Sequence, residues 1–146
     1  MNLNEQVQRL SDLEAIRDLP RRYAQCVWNK DSAAIAQLFA EDGVMDAGMG
    51  EPMRGRATIA ATYAPIFASS DSKPFVHNHV IDLHGDSATG TVYLDVRVTV
   101  GGKNMAGVGT ISDAYVRAGD GWLFQSRKLS VTQMIPSGDP VSGKPG

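Results

Sequence analysis

The stretch from Phe75 to Val100 holds an unusual density of ionisable side chains, and its alternating pattern predicts two strands joined by a turn. His77 and His79 are two positions apart, so on a strand both side chains point to the same face. Asp95 and Arg97 have the same spacing on the second strand. Apolar residues fill the remaining positions, which predicts that these polar groups lie against an interior. Histidines, a carboxylate and a guanidinium around one space indicate acid–base chemistry.

The register of the two strands decides which of these residues share a face. If the turn at Gly85-Asp86 is a strict two-residue hairpin, Asn78 rather than a histidine is opposite Tyr93. A longer turn or a bulge reverses that choice, because a slip of one residue exchanges the two faces of a strand. The sequence leaves both registers open.

Each of these residues also has a structural interpretation. Either histidine could be a satisfied structural residue, or could face solvent or a second subunit, as readily as act on a proton. An ion pair between Asp95 and Arg97 that stabilises the sheet face is favoured over a role in a pocket. Two histidines at strand spacing also suggest a metal site, but no third ligand stands on a fixed element, so we predict no bound metal.

Composition restricts the class of protein. The 146 residues predict one domain, and 42% hydrophobic with 21% charged residues is ordinary for a soluble globular protein. A net charge of −2 provides no basic surface for nucleic acid, and no apolar run approaches the ~20 residues of a membrane span. The single cysteine, Cys26, and the absence of a signal-peptide pattern favour a cytoplasmic setting. No phosphate-binding glycine loop or dinucleotide fingerprint is present, so we predict no cofactor.

The first 70 residues have helical periodicity. The segment Ser11-Asp-Leu-Glu14 has the spacing of a capping box, so we expect a helix to start at Ser11 after a short helix or docking arm. Pro20 removes a backbone donor, which predicts a kink or two successive helices. Beyond it the pattern predicts helices at 32–39 and 56–68, a short strand at 44–47 and a loop at 48–55.

From Phe75 onward the period becomes alternating. It predicts four strands, at 75–83, 89–100, 104–117 and 121–134, with glycine-containing turns between them. We therefore expect a single domain over residues 1–134, followed by a flexible tail at 135–146. Helices followed by an antiparallel meander predict an α+β fold, in which a curved sheet is wrapped by the N-terminal helices around a cavity.

Four segments resemble a SnoaL-like domain, a group within the nuclear transport factor 2-like superfamily of cone-shaped α+β proteins. They are LEAIRDLPRRYAQCVWNKDSAAIAQLFAEDGVMD, MRGRATIAATY, HNHVIDLHGDSATGTVYLDVRV and SDAYVRAGDGWLFQSRKL, and the resemblance covers about residues 9–134. The group includes polyketide cyclases, scytalone dehydratase, ketosteroid isomerase, hexachlorocyclohexane dehydrochlorinase, limonene epoxide hydrolase and formaldehyde-releasing lyases. It also includes transport adaptors and oxygenase β subunits without a catalytic pocket. The resemblance therefore implies the fold and leaves the activity open.

The resemblance also implies candidate site residues. Tyr23 matches a tyrosine that often points into the cone from the first long helix. In ketosteroid isomerase that tyrosine and a strand carboxyl hydrogen-bond an oxyanion, and Asp113 is roughly at the position of the carboxyl. The isomerase's base falls one residue after Asp46, on Ala47, so Asp46 remains open as a base or as a turn-forming residue.

The Asp–His pair of the dehydratase and the dehydrochlorinase does not transfer. The aspartate position falls on Trp28 and the histidine position is near Pro74. A base would then have to come from His79 or His77, which are the imidazoles available in the predicted interior.

We predict a cofactor-independent lyase or isomerase that uses acid–base catalysis on a small, largely apolar, aromatic or polycyclic molecule. Dehydration, cyclisation, a double-bond shift and aldehyde-releasing elimination all suit such a site. The alternative is a non-catalytic binding domain or accessory subunit of the same fold, and Leu123 and Leu129 would suit a homodimer formed through the sheet. The candidate substrate-lining residues are Trp28, Asn78, Tyr93, Asp95, Arg97 and Met105.

Overall fold

Three helices pack on one face of a six-stranded sheet in the computed structural model, which describes residues 1–138. The helices are α1 (Leu3–Trp28), α2 (Ser32–Gln37) and α3 (Arg56–Ser69). The strands are β1 (Phe39–Asp46), β2 (Met53–Arg54), β3 (Ser70–His84), β4 (Ser87–Val100), β5 (Lys103–Ala118) and β6 (Gly121–Pro136). The sheet order is β2-β1-β6-β5-β4-β3, with only β1 and β6 parallel. The predicted α+β class, with a curved and mostly antiparallel sheet, is confirmed.

The first helix is longer than the sequence suggested. Asn2 caps it by accepting a hydrogen bond of 2.9 Å from the backbone N–H of Glu5. The helix then runs through Ser11 and Pro20 to Trp28, so the expected start at Ser11 and the division into two helices are wrong. Pro20 is fully buried, and its packing offsets the backbone hydrogen bond that its ring removes.

The region between the first and third helices contains more strand than expected. Residue Phe39 opens β1 instead of ending a helix, because it is buried beside β6 and pairs with Phe124. The predicted loop contains β2, which pairs with β1 through Met45 and Met53. The third helix occupies its predicted position to within a residue.

The four strands of the predicted meander are all present, and β3 begins five residues earlier, at Ser70. Strand β6 continues to Pro136, so the first two residues of the predicted tail belong to the sheet. Positions 139–146 of that tail lie outside the described residues. None of the helices within residues 1–138 is long and apolar enough to cross a membrane.

Of the register shifts in the sheet, two next to the candidate site change which residues face the helices. Asp113 of β5 is opposite Arg127 and Tyr115 is opposite Phe124, so the single residue between them on β5, Ala114, corresponds to two on β6, Gln125 and Ser126. As a result Phe124 and Arg127 both point into the core, although they are three residues apart and strict alternation would separate them. Strand β3 has a second such bulge, next to the candidate site.

Candidate acid–base site

The bulge in β3 separates the two histidines. Val76 pairs with Leu94 and His79 pairs with Val92, so the two residues between them on β3, His77 and Asn78, lie opposite the single residue Tyr93 on β4. His79 therefore faces the helices and is half-buried. The side chain of His77 is 54% exposed on the outer face. The expectation that both histidines share a face is wrong, because the extra residue of the bulge exchanges the faces between them.

A hydrogen-bonded chain runs inward from His79. Its Nε2 is 2.7 Å from the hydroxyl oxygen of Tyr115, and that hydroxyl donates to Oδ2 of Asp113 at 2.8 Å. Arg127 donates to Asp113 from Nε at 2.7 Å and from Nη2 at 3.1 Å. The side chains of this last pair are 1% and 0% exposed, so the chain links the edge of the sheet to its most buried ion pair.

The strands position each member of this chain. Asp113 and Tyr115 are two residues apart on β5 and point to the same face, and the β6 bulge brings Arg127 opposite Asp113. Gly90 on β4 leaves space for the phenol, since a Cβ there would lie 3.1 Å from the Tyr115 hydroxyl and 2.8 Å from the backbone oxygen of Val80. The position of the Tyr115 ring thus depends on the lack of a side chain at Gly90 as well as on the polar partners of its hydroxyl.

Two further phenols meet between α1 and α3. The hydroxyls of Tyr23 and Tyr63 are 2.5 Å apart, and the guanidinium of Arg127 lies 4.5 Å from the centre of the Tyr23 ring. Their mutual hydrogen bond uses one of the two hydroxyl protons, and no other hydrogen bond of these hydroxyls occurs among residues 1–138. Burial raises the pKa of both phenols, so both keep their protons near neutral pH.

Burial also sets the protonation states of the hydrogen-bonded side chains from His79 to Arg127. It lowers the pKa of His79, which favours the neutral imidazole. It raises the pKa of Tyr115, and the neighbouring carboxylate of Asp113 raises it further. Burial works against the charged form of Arg127, but Asp113 holds the pKa of that guanidinium above its ordinary value. The result is a neutral imidazole and a neutral phenol beside an ionised pair.

Asp113 differs from its expected role as an oxyanion donor. A carboxylate that accepts two hydrogen bonds from a buried guanidinium is ionised and carries no proton to donate. Asp46 accepts from the backbone N–H of Gly48 at 2.9 Å, the contact expected of a turn-forming residue.

Most of the predicted substrate-lining residues are elsewhere. Outer-face residues Tyr93, Asp95 and Arg97 lie on the side of the sheet opposite His79, because their partners in β3 and β5 point outward. There Asp95 contacts His77 at 3.0 Å and Arg97 at 3.7 Å. Of the other three, Asn78 is exposed in the β3 bulge, Met105 is half-buried at the far end of the inner face, and Trp28 lies at the end of α1.

The positions that resemble the Asp–His pair are adjacent here but chemically inert. The indole N–H of Trp28 donates to the backbone oxygen of Pro74 at 2.8 Å, and the indole packs edge-on against Phe75 at 5.4 Å. Neither an indole nor a proline exchanges a proton near neutral pH.

Sequence reasoning missed three residues of the buried network. Tyr115 could have been found, because it follows the candidate Asp113 by two positions on an alternating strand. Tyr63 lies on the apolar stripe of α3 with Ile59 and Phe67, where a core tyrosine is the default interpretation. Arg127 gave no signal, since its inward direction depends on the bulge.

Other kinds of site find little support in the described part of the chain. Within residues 1–138, no three His, Cys, Asp or Glu side chains converge as a metal site would require. Two shallow depressions, of about 210 and 190 Å³, lie at the β4–β5 turn and at the neighbouring strand ends. Neither is lined by Tyr23, His79 or Tyr115.

The comparisons with known proteins agree with this architecture. The sequence profile of the SnoaL-like domain matches residues 8–128, so the chain belongs to the SnoaL-like domain family. Its fold is that of the nuclear transport factor 2-like proteins. A search of curated protein sequences found no match.

Solved structures provide three informative relatives. A nuclear transport factor 2-like protein with a cystatin-like fold from Novosphingobium aromaticivorans is 27% identical, with 90% of this chain and 89% of that chain covered and a TM-score of 0.79. A provisionally assigned scytalone dehydratase from the same species is 18% identical over 94% and 97% of the two chains, with a TM-score of 0.82. Hexachlorocyclohexane dehydrochlorinase LinA-type3 from Novosphingobium barchaimii is 15% identical over 93% and 98%, with a TM-score of 0.85.

Proposed function

We propose that this protein is a cofactor-independent lyase or isomerase in which His79 is the general base. The observation that carries the proposal is the chain of hydrogen bonds from His79 through Tyr115 and Asp113 to the buried Arg127. Two structural relatives bear the names of a dehydratase and a dehydrochlorinase, and both names denote eliminations. An elimination begins with the removal of a proton from carbon, which is the step that a neutral imidazole serves.

The environment of His79 suits that step. Burial lowers the pKa of its imidazole, so the ring is neutral and able to accept a proton near neutral pH. Once the ring is protonated, the negative charge of Asp113 favours the imidazolium, whereas Arg127 and the helix residues Arg17 and Arg21 oppose it. A general base of this kind contributes roughly 10²–10⁴-fold to the rate.

The Tyr23–Tyr63 pair supplies the second requirement, a donor for the oxygen on which charge develops. One of its two hydroxyl protons is available to an acceptor, and the raised pKa of each phenol keeps that proton in place. The ring of Phe124 lies 6.0 Å from that of Tyr23 and 5.7 Å from that of Tyr115, so a single aromatic ring separates the two polar groups. From these aromatic neighbours we infer a small, largely apolar or aromatic substrate that carries an oxygen.

The reaction balances without a cofactor. The substrate C–H bond breaks, its proton passes to the imidazole, and the electron pair forms a new double bond. In an elimination the bond to the leaving group breaks, its electron pair departs with that group, and the imidazolium then gives its proton to the leaving group or to water. In an isomerisation the electron pair of the old double bond or carbonyl moves onto the substrate oxygen, and it returns when the same imidazolium protonates another carbon.

The test is solvent deuterium incorporation into a panel of small aromatic ketones, together with product formation from scytalone and hexachlorocyclohexane. We expect His79→Gln to lower the rate by roughly 10²–10⁴-fold while melting temperature and ligand affinity stay unchanged. The matched control is His77→Gln, since His77 lies on the outer face and contacts Asp95 there. Equal rates for the wild type and His79→Gln would refute the proposal.

A second candidate, a non-catalytic small-molecule-binding or accessory domain, has its own support. The positions of the Asp–His pair fall on Trp28 and near Pro74, which is not a histidine, and the two depressions are not lined by His79. On this alternative a panel compound binds and raises the melting temperature, no deuterium enters it, and His79→Gln changes affinity at most.

A further inference from the structure

The chain of hydrogen bonds from His79 to Arg127 has a direction, and Asp113 sets it. Both oxygens of this carboxylate accept from Arg127, at 2.7 and 3.1 Å, and the pair is shielded from water. Protonating Asp113 would leave a buried guanidinium without its counter-charge, which is strongly unfavourable. Asp113 is therefore an acceptor only, at the inner end of the chain.

Tyr115 passes that direction on to His79. The phenol has a single proton, and it donates this proton to Oδ2 of Asp113 at 2.8 Å. Its oxygen can then only accept from the imidazole 2.7 Å away, so Nε2 of His79 must carry a hydrogen. We propose that Tyr115 is a positioning residue that holds neutral His79 in the Nε2–H tautomer and leaves Nδ1 as the nitrogen with the free lone pair.

This assignment, which rests on the proposed function for its catalytic meaning, identifies the atom that does the work. The proton-accepting atom is Nδ1, and no hydrogen bond occupies it among residues 1–138. When Nδ1 takes a proton, Nε2 keeps its hydrogen bond to Tyr115, so the ring changes charge without turning. The hydroxyl of Tyr115 and the guanidinium of Arg127 keep their protons throughout, so the hydrogen bonds through Asp113 do not relay a proton.

The assignment requires the hydroxyl group of Tyr115 and not only the volume of its ring. The Tyr115 ring also packs 5.7 Å from Phe124 and fills the space above Gly90, which a phenylalanine would do equally well. Tyr115→Phe therefore removes the acceptor of the Nε2–H group while the aromatic packing stays. The matched control is Tyr93→Phe, because Tyr93 lies exposed on the outer face of the sheet.

The test is proton–nitrogen correlation NMR of the histidine rings, measured without any substrate. In the wild type we expect His79 to show one tautomer, with Nε2 protonated and its Hε2 close to the Tyr115 ring protons. That Hε2 should exchange with water at least about fivefold more slowly than that of the exposed His84. In Tyr115→Phe we expect a mixture of tautomers and a lost Hε2 contact, whereas Tyr93→Phe behaves as the wild type.

Protonated Nδ1 in the wild type overturns the assignment, as does a single unchanged tautomer in folded Tyr115→Phe. If that variant does not fold, the wild-type spectrum alone decides the protonated nitrogen. The deuterium assay keeps this outcome separate from the proposed function. If His79 carries its hydrogen on Nε2 but no turnover is seen, the tautomer is supported and the role of His79 as general base is refuted. If His79 carries its hydrogen on Nδ1 and His79→Gln abolishes turnover, the general base is supported and the tautomer is refuted.

Discussion

At the scale of single residues, two extra positions in the strands decide the chemistry of the inner face. The bulge in β3 turns His79 inward and His77 outward, and the bulge in β6 turns Arg127 inward beside Phe124. Each bulge exchanges the faces of all residues beyond it in the strand. Inserting or deleting one residue in either strand would therefore disrupt the hydrogen-bonded network. The network also depends on Gly90, which lies beneath the Tyr115 ring.

We expect Gly90→Ala to lower the free energy of unfolding by about 1–3 kcal/mol. Its Cβ would lie 2.8 Å from the backbone oxygen of Val80 and 3.1 Å from the Tyr115 hydroxyl, and the backbone cannot give way cheaply. Urea unfolding measures the change, with Thr89→Ala, an exposed position on the same strand, as the control. An unfolding free energy equal to that of the wild type would show that the strands relax around the methyl group.

At the scale of elements, a second polar cluster fixes α1 to the sheet. Asp12 of the helix accepts two hydrogen bonds from Arg117 of β5, at 2.8 and 2.9 Å, and one from the Trp122 indole at 3.1 Å. The same guanidinium donates to Asp86 in the β3–β4 turn at 2.7 Å. One arginine thus joins a helix, a strand and a turn, and helps hold α1 against the inner face.

This cluster predicts a pH dependence of stability. The hydrogen bonds from Arg117 outweigh the opposing effect of burial and hold the pKa of Asp12 at about 2, below its ordinary 3.8. Because the pKa is lower in the folded state, the contribution of Asp12 is fully present above about pH 4 and is lost as the pH falls towards 2.

We therefore expect Asp12→Asn to reduce the free energy of unfolding at pH 7, and the difference from the wild type to shrink between pH 4 and pH 2. Urea unfolding across this range gives the comparison. Glu14→Gln, which removes an exposed ion pair with Arg21 on the same helix, should leave stability nearly unchanged. A difference that is constant with pH would argue against the charge of Asp12 as the cause.

At the scale of the whole molecule, the outer face of the sheet is open within the described residues. Leu129 does not belong to it, contrary to expectation, because it lies inward and packs against the core. The outer face instead exposes the apolar side chains of Phe75, Val80, Tyr93, Val108 and Ile135. Scattered among charged neighbours, these side chains suit a moderate interface between two copies of the chain.

The homodimer remains a prediction, and sedimentation velocity tests it. If the outer faces pair, Tyr93→Lys should raise the dissociation constant about 30-fold, as expected for an aromatic contact worth about 2 kcal/mol. Leu10→Lys, at an exposed apolar position on α1, is the matched control. A sedimentation coefficient of a monomer at all concentrations would contradict the prediction.

The sequence by itself determined the class of fold. Helical period before residue 70 and alternation after it fixed the order of the elements, and the resemblance to SnoaL-like domains predicted the family that the profile match then showed. The same resemblance identified Tyr23 and Asp113 as candidates, and the alternating pattern identified both His77 and His79, of which only His79 lies inward.

Only the tertiary structure decided which side chains contact one another. That Asp113 pairs with Arg127, that Tyr115 joins it to His79 and that Tyr23 meets Tyr63 all depend on strand register and on the approach of α1 to α3. A bulge costs little locally and leaves almost no trace in composition, yet it reverses every side chain beyond it. The periodicity of a strand survives in its sequence, whereas its register is set by the neighbours it packs against.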